Sequence, residues 1–152
     1  MKKEGEKAPE ITGIDQFGNQ VSTNNFKGKK LVLYFYPKDD TPGCTAEACN
    51  LRDNYDLLKN KGFSILGVSA DGEAKHKKFA EKYNLPFQLL ADTDKKVIEA
   101  FGAWGPKKFM GKEYEGILRS TFVIDENGVI QKVFDKVKTK DHTNQILSAL
   151  ED

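Results

Sequence analysis

The chain has 152 residues, 24 basic and 23 acidic, for a formal net charge of +1. That length suits one ordinary domain, and the near-balanced charge leaves no basic block of the kind that follows nucleic-acid phosphates. The opening MKKEGEKAPEI has basic residues with no apolar run behind them, so it reads as neither signal peptide nor membrane anchor; the expectation is a cytoplasmic protein with no nucleic-acid or membrane partner.

ITGID and NQVST flank a turn-like FGN at 17–19 and predict a small N-terminal hairpin. GKKLVLYFYP reads as a buried strand that stops at Pro37. Residues 42–60 carry Ala48, Leu51, Tyr55 and Leu58 at helical spacing. FSILGVSA (63–70) is a second apolar strand, EAKHKKFAEKY (73–83) an amphipathic helix and FQLLAD (87–92) a short strand. KKVIEAFGAW (95–104) reads as a helix that gives way to a Gly-containing loop. STFVIDENGVIQKVF (120–134) places two β-rich runs around ENG, a hairpin, and HTNQILSALE (142–151) closes the chain as a helix. Repeats, linkers and low-complexity stretches are lacking, so residues 1–152 are read as one domain. The alternation implies an α/β fold: a mixed central sheet with right-handed crossovers and helices on both faces. Active sites in such sheets lie at the carboxyl ends of strands. The segment after LVLYFYP occupies that place.

Both cysteines, Cys44 and Cys49, fall in this segment, YFYPKDDTPGCTAEACNLRDNY (34–55). A cytoplasmic chain of this size does not need a disulfide staple, and close thiols there more often mean metal binding or catalysis. Thr41 and Pro42 read as an N-cap and a first helical residue, which puts Cys44 in the first turn. Unpaired N–H groups and the positive end of the helix dipole favour a thiolate there. Cys49 projects instead onto a face with Arg52, Asp53 and Asp56. Five residues turn a helix through about 500°, leaving the two side chains about 140° apart and their Cα atoms about 9 Å apart. A disulfide wants Cα atoms within about 7 Å, so an intact helix keeps the pair apart.

Several readings compete. Two small core residues would suit Cys44 but not Cys49. A metal would need more soft ligands than the chain has, since the remaining histidines, His76 and His142, sit on polar helices; no metal site is expected. A thioredoxin-type exchanger would show C-x-x-C rather than C-x-x-x-x-C. What remains is a reactive first thiol with a second held in reserve, the arrangement of a peroxide-reducing cysteine and its partner.

PKDDTPGC (37–44) matches the P-x-x-x-T-x-x-C pattern of peroxiredoxins, and TPGCTAEAC (41–49) is similar to the peroxiredoxin Q, or bacterioferritin comigratory protein, branch. The segment AWGPKKFMGKEYEGILRSTFVIDENG (103–128), with its R-S-T-F strand, resembles the same branch. The resemblance covers nearly the whole chain. It implies a thioredoxin-like fold with an N-terminal extension and a peroxidase that reduces hydrogen peroxide or alkyl hydroperoxides. Cys44 then resembles the cysteine that attacks the peroxide and becomes a sulfenic acid. Cys49 resembles the resolving cysteine of the members that form a disulfide within one chain. Thr41 resembles the threonine of the peroxide site, Arg119 the arginine beside the thiolate, and Pro37 the proline that shields the pocket. A thioredoxin-like reductant, no cofactor and a monomer complete what the resemblance implies.

Without it, Arg119 reads as a surface arginine, Thr41 as a cap and Pro37 as a strand end. Glu47 reads as an exposed early-helix residue outside the site. Phe109, Met110 and Tyr114 read as either the mouth of a pocket or loop packing. The rival in another class is a redox-regulated binding protein without significant turnover.

Overall fold

The computed structural model describes residues 1–151. Strands β1 (Thr12–Ile14) and β2 (Gln20–Ser22) form the expected N-terminal hairpin. Strand β3 (Lys30–Phe35) leads through a short loop into helices α1 (Pro42–Asp53) and α2 (Tyr55–Asn60). Then come β4 (Phe63–Ser69), α3 (Glu73–Tyr83), β5 (Gln88–Ala91) and α4 (Lys96–Ala100). A second hairpin, β6 (Trp104–Phe109) and β7 (Lys112–Ile117), precedes β8 (Ser120–Ile124), β9 (Ile130–Phe134) and α5 (His142–Leu150).

The central sheet has the order β5-β4-β3-β8-β9. Strands β3, β4 and β5 run parallel, as crossover connections through helices require, while β8 is antiparallel to both β3 and β9. The expected mixed sheet is therefore present. All of β3 from Leu31 onward is buried, because helices cover both faces. Its side chains alternate. Leu31, Leu33 and Phe35 join Ile11, Val21, Val97, Ile98 and Phe101 on one face. Val32, Tyr34 and Tyr36 join Cys44, Ala48, Leu51, Phe79 and Ile146 on the other. Each large apolar side chain so withdrawn from water contributes about 1.5–3 kcal/mol.

Two sequence expectations are corrected. The helix expected over 42–60 is two helices that meet at Asn54. There the Asn54 side-chain amide donates to the Asn50 carbonyl at 2.9 Å and shares that oxygen with the Asn54 backbone N–H, whose own bond is a longer 3.3 Å. The loop expected after Trp104 is the β6–β7 hairpin, closed by Met110 and Gly111 at φ 52° and 79°. Two positive φ values in succession make a tight turn whose twist suits a hairpin. Among the described residues, no helix is long and apolar enough to cross a membrane.

Pairing fixes what meets α1. Ser120, the first residue of β8, lies opposite Phe35, the last of β3. Arg119 therefore arrives where β3 ends and the chain turns towards α1.

Candidate active site

Helix α1 starts after a loop, 37–41, whose carboxyl-terminal residue Thr41 has the extended backbone of an N-cap. The Thr41 carbonyl accepts the first helical bond, from the Thr45 N–H at 2.8 Å. Its hydroxyl does not cap the helix, contrary to expectation: it donates to the Lys38 carbonyl at 2.8 Å and so ties the loop to itself. The free N–H groups of the first turn are left to face other partners.

Cys44 is 1% exposed and lies in that first turn. Arg119 Nη2 stands 3.3 Å from its sulfur, while Nη1 donates to Glu47 Oε1 at 2.8 Å. One guanidinium thus bridges the thiol and a carboxylate, using the planar fork that lysine lacks. Gly43 leaves room for the approach: a Cβ there would lie 3.1 Å from Arg119 Nη2, and the guanidinium would have to shift by a few tenths of an ångström. Burial by itself would pull the guanidinium down, but Cys44 and Glu47 hold it above its ordinary value.

Glu47 was expected to be exposed and outside the site; it is 0% exposed and paired with Arg119. Its position explains this. Cys44, Glu47, Ala48 and Leu51 share one face of α1, all of them buried. A carboxyl on an apolar stripe needs a counter-charge, and that spacing was the available signal for it. Burial pushes the Glu47 carboxyl up from 4.5 to about 7, against the pull of Arg119. Its second oxygen, Oε2, finds no hydrogen-bond partner among the described residues, with His142 Nε2 3.6 Å away.

His142, from the start of α5, is equally buried. Its Nδ1 faces Gln145 Oε1, which can only accept, so Nδ1 carries the proton and Nε2 accepts from the Thr121 hydroxyl at 2.7 Å. Burial holds the ring neutral, lowering it from 6.5 to about 4. Lys107 on β6 lies half-buried, its ammonium bonded to the Ile117 carbonyl at 2.9 Å. Burial and then repulsion by Arg119 lower it, and Cys44 pulls the other way.

The structure thus brings Cys44 and Arg119 together and adds Glu47 and His142. Pro37 follows β3 and is half-buried in the loop before Thr41. Cys49 is half-buried further along the same unbroken helix, and both thiols are free. Phe109, Met110 and Tyr114 are exposed on the β6–β7 hairpin, so close loop packing does not describe them. A thiolate at Cys44 would have a fixed cation against it, in a setting where little water competes. Such a sulfur can act as a nucleophile, and the same donors can meet negative charge that develops on an atom it attacks.

A model of the AhpC/TSA family matches residues 5–133 of the chain. The peroxiredoxin Bcp of Escherichia coli K12 is 49% identical over 150 residues, covering 99% of this chain and 96% of that protein. The peroxiredoxin Bcp of Bacillus subtilis strain 168 is 51% identical over 148 residues, covering 97% and 94%. In structure, the Xanthomonas campestris bacterioferritin comigratory protein, studied for its alkyl peroxide reduction activity, superposes with a TM-score of 0.86. It is 35% identical, and the match covers 93% of this chain and 90% of that one. The mixed sheet with its helix-start cysteine is thus the thioredoxin-like fold of the peroxiredoxins. The chain belongs to the AhpC/TSA family, and its likeness within it is to the Bcp peroxiredoxins.

Proposed function

We propose that this protein is a thiol peroxidase that reduces hydrogen peroxide and organic hydroperoxides through Cys44, with Cys49 as the resolving thiol. The observation that carries the reading is the 3.3 Å contact between Arg119 Nη2 and a buried sulfur in the first turn of a helix. In the first step the Cys44 thiolate attacks one peroxide oxygen. The O–O bond breaks, sulfur is oxidised to the sulfenic acid, and the departing hydroxide or alkoxide takes a proton to leave as water or alcohol. Negative charge grows on that departing oxygen. Arg119 and the first-turn N–H groups are fixed donors able to meet it, and Thr41 and Pro37 supply the wall of the site. Both electrons come from sulfur.

In the second step Cys49 attacks the sulfenic sulfur, water leaves and a Cys44–Cys49 disulfide forms. The two residues sit five apart on α1, about 9 Å between Cα atoms of an intact helix, so bonding them requires the helix to open. A thioredoxin-like dithiol then returns two electrons by exchange. The reading extends to a monomer, since one chain holds both thiols, and to a single domain in the cytoplasm.

Turnover of peroxide against a thioredoxin system tests the assignment of roles. Cys44→Ser is expected to abolish it, and Cys49→Ser to consume one equivalent of peroxide and stop; full turnover by Cys44→Ser would refute the assignment. Helix opening has its own test in amide exchange of the two redox states. Protection around 43–52 should fall on oxidation, and equal protection in both states contradicts the opening.

A further inference from the structure

The loop 37–41, which joins β3 to the helix of Cys44, is held by α3 and the turn before it. Asp39 is buried at its centre, and its Oδ2 lies 2.6 Å from His76 Nδ1. The other oxygen, Oδ1, accepts from the Tyr36 hydroxyl, and the Asp39 N–H donates to Asp71 Oδ2 at 2.7 Å. Next to it Asp40, in the left-handed region at φ 59°, accepts from Lys82 and from the Tyr83 hydroxyl, both at 2.7 Å.

His76 is completely buried, and its Nε2 faces the Leu90 carbonyl at 2.9 Å. A carbonyl only accepts, so Nε2 carries a hydrogen. A second proton must then lie between Nδ1 and Asp39 Oδ2, because a bare ring nitrogen and a carboxylate oxygen would repel at that distance. The contact is a short hydrogen bond across 37 positions of sequence. Asp39, Asp71 and His76 have donor atoms within 4.8 Å of one another. That spacing would suit a cation, but these atoms are already bonded: Asp71 also accepts from Ser69 at 3.0 Å and from Lys75 at 3.1 Å.

A buried acid–imidazole pair is a poor way to gain stability, since apolar side chains of like volume serve as well or better. What it adds is direction: it fixes one loop at one height against one helix. We propose that Asp39 and His76 are positioning residues for the peroxide reaction, clamping the loop 37–41 so that Pro37 and Thr41 stand fixed beside Cys44. Neither residue is a hydrogen-bond partner of the thiol, and both act through the loop. The inference rests on the thiol-peroxidase reading above.

The test is the second-order rate constant for oxidation of the reduced full-length protein by hydrogen peroxide. It is measured for wild type, Asp39→Asn, His76→Gln and the double variant. The pH midpoint of Cys44 thiolate formation, taken by difference from Cys44→Ser, is followed alongside. Each single variant should slow oxidation about tenfold or more, the scale on which misplaced groups act. The double variant should be no slower than the worse single one, because the two residues act as a unit. The thiolate midpoint should stay at its wild-type position, since the Arg119 contact is untouched. Rate constants within about twofold of wild type, whatever happens to Tm, would overturn the proposal, as would a rate loss explained by a moved thiolate midpoint. If the buried substitutions prevent folding, Tyr36→Phe decides, because it keeps both clamp side chains and removes only the hydroxyl that bonds Asp39 and lies 3.5 Å from His76 Nδ1. A severalfold slower oxidation supports the clamp, and an unchanged one ends it. Wild-type protein reacting at the rate of free cysteine would instead defeat the peroxidase reading, and the clamp with it, before any variant is compared.

Discussion

Leu31, Leu33 and Phe35 leave β3 on one side of the sheet, and Val32, Tyr34 and Tyr36 on the other. On the first side they meet α4 and the N-terminal hairpin, with Phe35, Phe101 and Phe122 in mutual edge and tilted contact at 5.1–5.6 Å. On the second side the same strand meets α1, α3 and α5, and there the packing is interrupted by chemistry. Cys44, Glu47 and His142 are buried there, and the Tyr36 hydroxyl reaches Asp39. One face of a fully buried strand is therefore a core, and the other is a core that holds charges in place. The cost of disturbing the first should show in stability, and of disturbing the second in rate.

Phe101→Ala asks most of the first face. It should cost about 3–5 kcal/mol of stability, a large share of the 5–15 kcal/mol or so typical of a domain. The molecules that remain folded should be oxidised at the wild-type rate. Denaturant unfolding and stopped-flow oxidation read the two quantities separately, and slow oxidation at unchanged stability would erase the distinction.

Arg119→Ala asks the same of the second face. Oxidation by peroxide should slow about 10²–10³-fold, the usual loss when one fixed donor to a developing anion is removed. Stability should fall as well, because truncation leaves the buried Glu47 carboxyl without its counter-charge, so the rate constant is read on the molecules that remain folded. An unchanged second-order rate constant removes Arg119 from the site.

The last effect is a pH dependence, and it separates Glu47 and His142, two buried titrating groups of the second face. Glu47 is raised from 4.5 to about 7, so between those values the folded state binds more protons and Glu47 makes stability fall as pH rises. His142 is lowered from 6.5 to about 4, so the unfolded state binds more protons and His142 makes stability rise with pH across that window. The two slopes oppose each other where they overlap, each at most about 1.4 kcal/mol per pH unit. Relative to wild type, Glu47→Gln should gain stability as pH rises from 4.5 to 7, and His142→Gln should lose it from 4 to 6.5. Thermal or denaturant unfolding across pH 4–7 measures both. Difference curves of the same sign would contradict the assignment.

Local patterns carried much of this into the sequence. The β-rich runs of β8 and β9, the apolar block of β3 and the bounds of α3 follow from period and composition, and P-x-x-x-T-x-x-C with R-S-T-F points to Cys44 and Arg119. What stayed hidden depends on partners far along the chain. Glu47 is buried because Arg119, 72 positions on, neutralises it, and a wheel of α1 shows the stripe but not the cation. His76 stands among lysines on α3, so its burial is set by Asp39 and the Leu90 carbonyl rather than by its neighbours in sequence. The hairpin of β6 and β7 is exposed along most of its length, so it lacks the alternation that marks a half-buried strand. Asn54 and Thr41 both turned on which backbone carbonyl a short polar side chain would find.

The most direct measurement is intact mass and stopped-flow kinetics of the fully reduced protein given one equivalent of hydrogen peroxide. A reactive Cys44 resolved by Cys49 predicts loss of two hydrogens from a single chain, far faster than free cysteine is oxidised. Oxidation at the pace of an ordinary thiol, or a product that links two chains, would contradict it.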